Sequence, residues 1–116
     1  MPEAVLELVV YRDVEGREPF QVWFDELDRQ AAAKVAVVLA RMTQGNLSEI
    51  KSVGAGVLER RIDWGPGYRV YLGRDGERLV ILLGGGTKKR QQRDIEDAQG
   101  RWVDYKQRKN GKEAAG

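Results

Sequence analysis

The sequence predicts an α+β domain whose elements run β-α-α-β-β-β-α. Three observations carry this. Residues 58–90, LERRIDWGPGYRVYLGRDGERLVILLGGGTKKR, read as three short strands joined by two tight turns. Apolar residues recur at helical spacing in two stretches before this unit and in one after it. At 116 residues the chain is long enough for one domain with its own core.

In chain order, Glu3–Tyr11 (EAVLELVVY) reads as a strand with Val5, Leu6, Leu8, Val9 and Val10 as apolar bulk. Asp13–Arg17 is a turn. Glu18-Pro19 opens a helix, since Pro suits the first helical position. Phe20, Trp23, Phe24 and Leu27 follow at i, i+3, i+4 and i+7, a stripe that reads as core. Asp28 caps a second helix, Arg29–Thr43, with Ala32, Val35, Ala36, Val38, Leu39 and Met42 inward. Gln44-Gly45-Asn46 ends it. Leu47–Gly56 is a loop crossing into the sheet.

The strands of the central unit are Val57–Asp63, Tyr68–Gly73 and Leu79–Gly84, with turns at Gly65-Pro66-Gly67 and Arg74-Asp75-Gly76. Alternation puts Glu59, Arg61 and Asp63 on one face and Leu58, Arg60 and Ile62 on the other. Arg69 and Tyr71 share a face opposite Tyr68, Val70 and Leu72. Leu79–Leu83 is apolar throughout and should be the most buried strand. The final helix runs from Gln91 to about Lys109, with Ile95, Ala98, Trp102 and Tyr105 inward, and Asn110–Gly116 reads as a frayed tail.

Composition excludes several chemistries. With no Cys and no His, disulfides, thiolate or imidazole metal sites and a His general base are ruled out. Acid–base chemistry falls to Asp, Glu, Lys, Arg and Tyr. No apolar run has the roughly 20 residues of a membrane span, so a soluble, cytoplasmic protein is expected. Net charge is only +2, but it is unevenly spread: residues 1–57 hold 6 Lys/Arg against 9 Asp/Glu, and residues 58–116 hold 14 against 9. The basic half suits an anionic partner, nucleic acid first.

Gly84-Gly85-Gly86-Thr87-Lys88-Lys89 follows a strand but fits neither the Walker nor the Rossmann spacing. It reads either as an anion site of backbone N–H groups and cations or as a flexible turn. Glu59, Arg61 and Arg69 read either as a site or as a cross-strand ion pair. Trp64, in a turn, stacks on a base or roofs the sheet.

Together, Val53–Tyr71 (V-G-x-G-V-x-E-x-R-I-D-x-G-P-G-Y-R-V-Y), Val80–Lys88 (V-I-L-L-x-G-G-x-K) and Gln91–Ile95 (Q-Q-x-D-I) resemble the RelE/ParE toxin superfamily. They are most similar to its phage-derived, HigB-like addiction module killer protein branch. Phe20–Leu27 (F-x-x-W-F-x-x-L) and Gly45-Asn46-Leu47 also fit, so the likeness spans about residues 5–106. It implies an antiparallel sheet of about four strands, helices packed on it and a basic concave face. The implied function is a toxin of a type II toxin–antitoxin system. It would be a metal-independent endoribonuclease, without cofactors, that cuts mRNA on the ribosome and is neutralised by a helix-turn-helix antitoxin. Some members inhibit DNA gyrase instead, and a non-catalytic nucleic-acid-binding module stays open as a third reading.

The resemblance matches Arg69 to the arginine that contacts the scissile phosphate and puts Arg61 among the charged groups of the preceding strand. Glu59 falls near a general base of some relatives. Lys88 and Lys89 take the place of the Arg, Lys or His that follows the last strand. Lys51, Arg60, Trp64, Tyr71 and Arg90 complete the expected RNA contacts. The expected step is attack of the ribose 2′-OH, giving a 2′,3′-cyclic phosphate and a 5′-OH. Arg69→Ala should then abolish growth arrest with the fold intact.

Overall fold

The computed structural model describes residues 5–77 and 79–115, with side chains through residue 111. Its elements are β1 (Glu7–Val10), α1 (Pro19–Asp25), α2 (Arg29–Thr43), β2 (Ile50–Ser52), β3 (Leu58–Ile62), β4 (Tyr68–Asp75), β5 (Leu79–Thr87) and α3 (Gln91–Ala115). A single 3-10 turn, Lys88–Arg90, leads into α3. The class is α+β, as expected.

The sheet differs from the expected four antiparallel strands. It has five strands in the order β1-β5-β4-β3-β2 and is mixed, because β1 runs parallel to β5. The extra strand, β2, lies inside the stretch expected to be a loop. Its three residues pair with β3 through a tight Gly54–Gly56 turn closed by the Val53 amide on the Val57 carbonyl at 2.9 Å. The α1–α2 pair carries the chain from β1 at one sheet edge to β2 at the other. Glu3 and Ala4 of the expected first strand lie outside the described residues.

Helices cover both faces. On one, α1 and α2 pack Phe20, Ala31, Val35, Val38 and Met42 against Ile62, Tyr68, Val70, Leu72, Val80 and Leu82. Ala31 takes the buried place expected of Ala36, which is exposed. Asp28 caps α2, its carboxylate accepting from the Ala31 amide at 2.8 Å. On the other face, α3 packs Ala98 and Trp102 over Tyr71, Ile81 and Leu83. Its later turns are clipped to the sheet by Asp75, which accepts from the Tyr105 hydroxyl at 2.6 Å and pairs with Lys109 at 2.5 Å. The helical backbone runs on to Ala115, through most of the stretch expected to fray. No helix among the described residues is long and apolar enough to cross a membrane.

Two details position the site. Gly65 and Gly67 adopt φ of 58° and 84° in the β3–β4 turn, a region costly for other residues. β5 carries a bulge: Leu72 pairs with Leu82 but Tyr71 with Gly84, so Leu83 is the additional residue. The Gly84–Gly86 run is therefore neither a turn nor a phosphate loop. It is strand, paired to β4, and it lets helices come close. A Cβ on Gly85 would lie 2.3 Å from the Trp23 ring, and one on Gly86 2.1 Å from the Asp94 carboxylate. Gly85→Ala is expected to cost about 1–3 kcal/mol by overpacking against a rigid ring. Urea denaturation measures it, and a midpoint equal to the parent's would show that Trp23 yields freely.

Candidate nucleic-acid interface

Register brings the expected cations together. Arg61 on β3 and Arg69 on β4 are direct cross-strand partners, and Arg69 faces Gly86 on β5. All three lie on the face covered by α3. Lys88 emerges just past β5. Arg61, Arg69 and Lys88 line one cleft of about 330 Å³, floored by the Gly65–Gly67 turn and flanked by Asp63 and Trp64. Three cations meet one carboxylate here. Arg61 is 62% exposed and sits 3.5 Å from that carboxylate, Asp63.

One step along the sheet lies a buried polar row. Glu59 is 1% exposed, pairs in register with Tyr71, and has Lys51 as its partner on β2. The Gln91 amide donates to the Glu59 carboxylate at 3.0 Å, while Arg69 Nε and Lys51 Nζ lie 3.7 Å from it. Glu59 is thus surrounded by donors and occupied in holding Arg69. Arg69 itself is buried, and its Nε makes no hydrogen bond. Arg69→Ala would take from the buried Glu59 its buried counter-charge and leave it Gln91 and Lys51, so a loss of stability is expected alongside the loss of activity.

The other expected contacts spread out. Tyr71 is fully buried beside Glu59, and among the described residues its hydroxyl has no partner at ordinary hydrogen-bond geometry. Burial, then the Glu59 and Asp94 charges, push its phenol far above the usual range, against the pull of Arg69. It is a packed, neutral group, not a surface contact. Arg60 faces α2, bonded to the Arg61 carbonyl and 3.5 Å from Glu49. It borders a separate recess with Lys34, Arg41 and Trp64. Trp64 roofs the sheet, its ring 6.3 Å from Tyr68 at 23°, with the Lys34 ammonium 5.9 Å from its centroid. Its remaining edge borders the Arg61 cleft. Lys89 is exposed on the 3-10 turn outside the cleft.

Arg90 lines a different groove of about 820 Å³, shared with Trp23, Asp94 and Arg101. There burial, helped by Asp97, raises the Asp94 carboxyl against three nearby arginines, Arg90, Arg101 and Arg93.

Two participants were missing from the expected set. Asp63 shares the parity of Arg61 in the sequence, a signal already present. Gln91 reaches Glu59 only through the docking of α3, which leaves no local mark.

No family model matches the chain. Over 80 residues it is 46% identical to an uncharacterized protein of Haemophilus influenzae, a match that covers 68% of this chain and 81% of that protein.

Proposed function

We propose that this chain, which belongs to the same family as that Haemophilus influenzae protein, is the toxin of a toxin–antitoxin pair and acts as a metal-independent endoribonuclease on ribosome-bound mRNA. The observation that carries the reading is the convergence of Arg61, Arg69 and Lys88 on one cleft the size of a nucleotide or less. The order of elements, apart from the added β2, is the one implied by the likeness to RelE/ParE toxins. Its partners on this reading are the ribosome, mRNA and a helix-turn-helix antitoxin, in the cytoplasm.

The chemistry needs little beyond placement and charge. The ribose 2′-OH is the nucleophile, so the protein orients it for in-line attack and stabilises the phosphorane. Arg69 suits the phosphate oxygens because its planar fork offers several donors at once. Glu59 holds that fork by its Nε side, leaving the terminal nitrogens for the cleft. Arg61 shares the load from the solvent side. Lys88, which lines the same cleft, gives the leaving 5′-oxygen its proton on this reading. Glu59, buried and already engaged, serves as a positioning residue and not as the base.

Induction in cells followed by primer extension on mRNA tests this. The expected result is growth arrest with discrete cuts within codons. Arrest with DNA-damage signalling and intact mRNA would replace the nuclease by gyrase inhibition. Salt-dependent RNA binding with no cuts, even with ribosomes supplied, would reduce the protein to a binding module.

A further inference from the structure

We infer that Asp63 is the proton acceptor of the cleft and works across the arginine pair from Lys88, so that the substrate is a phosphodiester carrying its own 2′-hydroxyl nucleophile between them. This rests on the nuclease reading and assigns the group that the reading leaves open.

The placement follows from register. Ile62 on β3 and Thr87 on β5 both pair with Tyr68, one from each side of β4. β3 and β5 run in the same direction, each antiparallel to β4. Asp63 and Lys88 directly follow these strands, so the chain leaves the same end of the sheet at both, from strand ends two spacings apart. Both border the Arg61–Arg69 cleft. Two spacings amount to about 9.5 Å between backbones. The Asp63 and Lys88 side chains border the cleft from its two sides, so a phosphate seated on the arginines would have a carboxylate on one side and an ammonium on the other. The two arginines lie one step inward, where the non-bridging oxygens would point.

Of the two carboxylates flanking the arginine pair, only one is free to act. Glu59 is enclosed by Arg69, Lys51 and Gln91, whereas the Asp63 side chain is 87% exposed and forms an ion pair with Arg61 at 3.5 Å. The charged groups around Asp63 are Arg61, Arg69 and Lys88 in the cleft, Glu49, Lys51 and Glu59 across an adjoining recess, and Arg60 with Lys34 and Arg41 on the α2 side. In the step, the 2′-OH proton passes to the Asp63 carboxylate as the 2′-oxygen bonds to phosphorus. The bond from phosphorus to the 5′-oxygen breaks, and that oxygen takes a proton from the Lys88 ammonium. The products are a 2′,3′-cyclic phosphate and a 5′-OH, and exchange with water resets both side chains.

Asp63→Asn keeps shape and, at an exposed turn position, should keep the fold. The experiment compares the full-length parent, Asp63→Asn and Glu59→Gln for single-turnover cleavage of ribosome-bound mRNA across pH, with melting curves alongside. Asp63→Asn should lose about 10²–10⁴-fold in rate, melt like the parent, still bind RNA, and lose the rise of rate with pH on the acid side. Glu59→Gln should keep that rise. Parental cleavage with Asp63→Asn within a few-fold of it, or with the acid-side rise abolished by Glu59→Gln instead, overturns the assignment alone. A parent protein that binds RNA but never cuts it overturns the nuclease reading and the assignment with it.

Discussion

Arg69→Lys is expected to lower mRNA cleavage about 10²–10³-fold, a loss of roughly 3–4 kcal/mol of transition-state stabilisation, with little change in melting temperature. Lysine keeps the positive charge beside the buried Glu59, so the ion pair survives in kind. It cannot keep the fork. Arg69 turns its Nε toward Glu59, at 3.7 Å, and also lines the cleft. A single ammonium cannot serve both sides at once. Arg69→Ala would lose activity and fold together and so would not separate the two roles. Primer-extension time courses paired with melting curves make the measurement. A lysine variant that cuts at the parental rate would show that Arg69 is structural and that the cleft lies elsewhere.

Glu59→Ala should destabilise the protein by about 3–5 kcal/mol, the range for removing one member of a buried pair. The loss comes chiefly from Arg69, which would remain buried without its counter-charge. Lys51 adds little, because its side chain is two-thirds exposed and water screens it. Gln91 loses a 3.0 Å hydrogen bond to the carboxylate. Urea denaturation reads the effect, and a double-mutant cycle of Glu59→Gln with Arg69→Met isolates the coupling. Single variants whose costs simply add would mean that the two groups are neighbours without being partners.

The second helix was legible almost to the residue, because Asp28 and Gly45 mark its ends chemically. The facing of Arg61 and Arg69 was legible too, since a period of two and a short Gly-Pro-Gly turn leave few registers. The parallel docking of β1 beside β5 was not, because no local pattern encodes which sheet edge a strand will find. β2 escaped notice as three residues among glycines and serines, too short for any periodicity. The enclosure of Glu59 and Tyr71 depends on where α3 lies, so they read as surface groups while in fact forming its floor. Arg60 is the reverse case. Its opposite facing was visible in the alternation, yet its charge drew it into the expected RNA surface.

The bulge at Leu83 acts as a phase shift in the last strand. In an unbroken ladder Leu83 would sit opposite Tyr71, and every later residue would change sides. Lys88 would then come out with Val80 and Leu82, on the layer of α1 and α2, cut off from both arginines by the thickness of the sheet. Odd-and-even counting along this strand therefore gives the wrong side for everything past Leu83. One surplus leucine, buried beneath α3, decides on which side of the protein the last lysine turn opens.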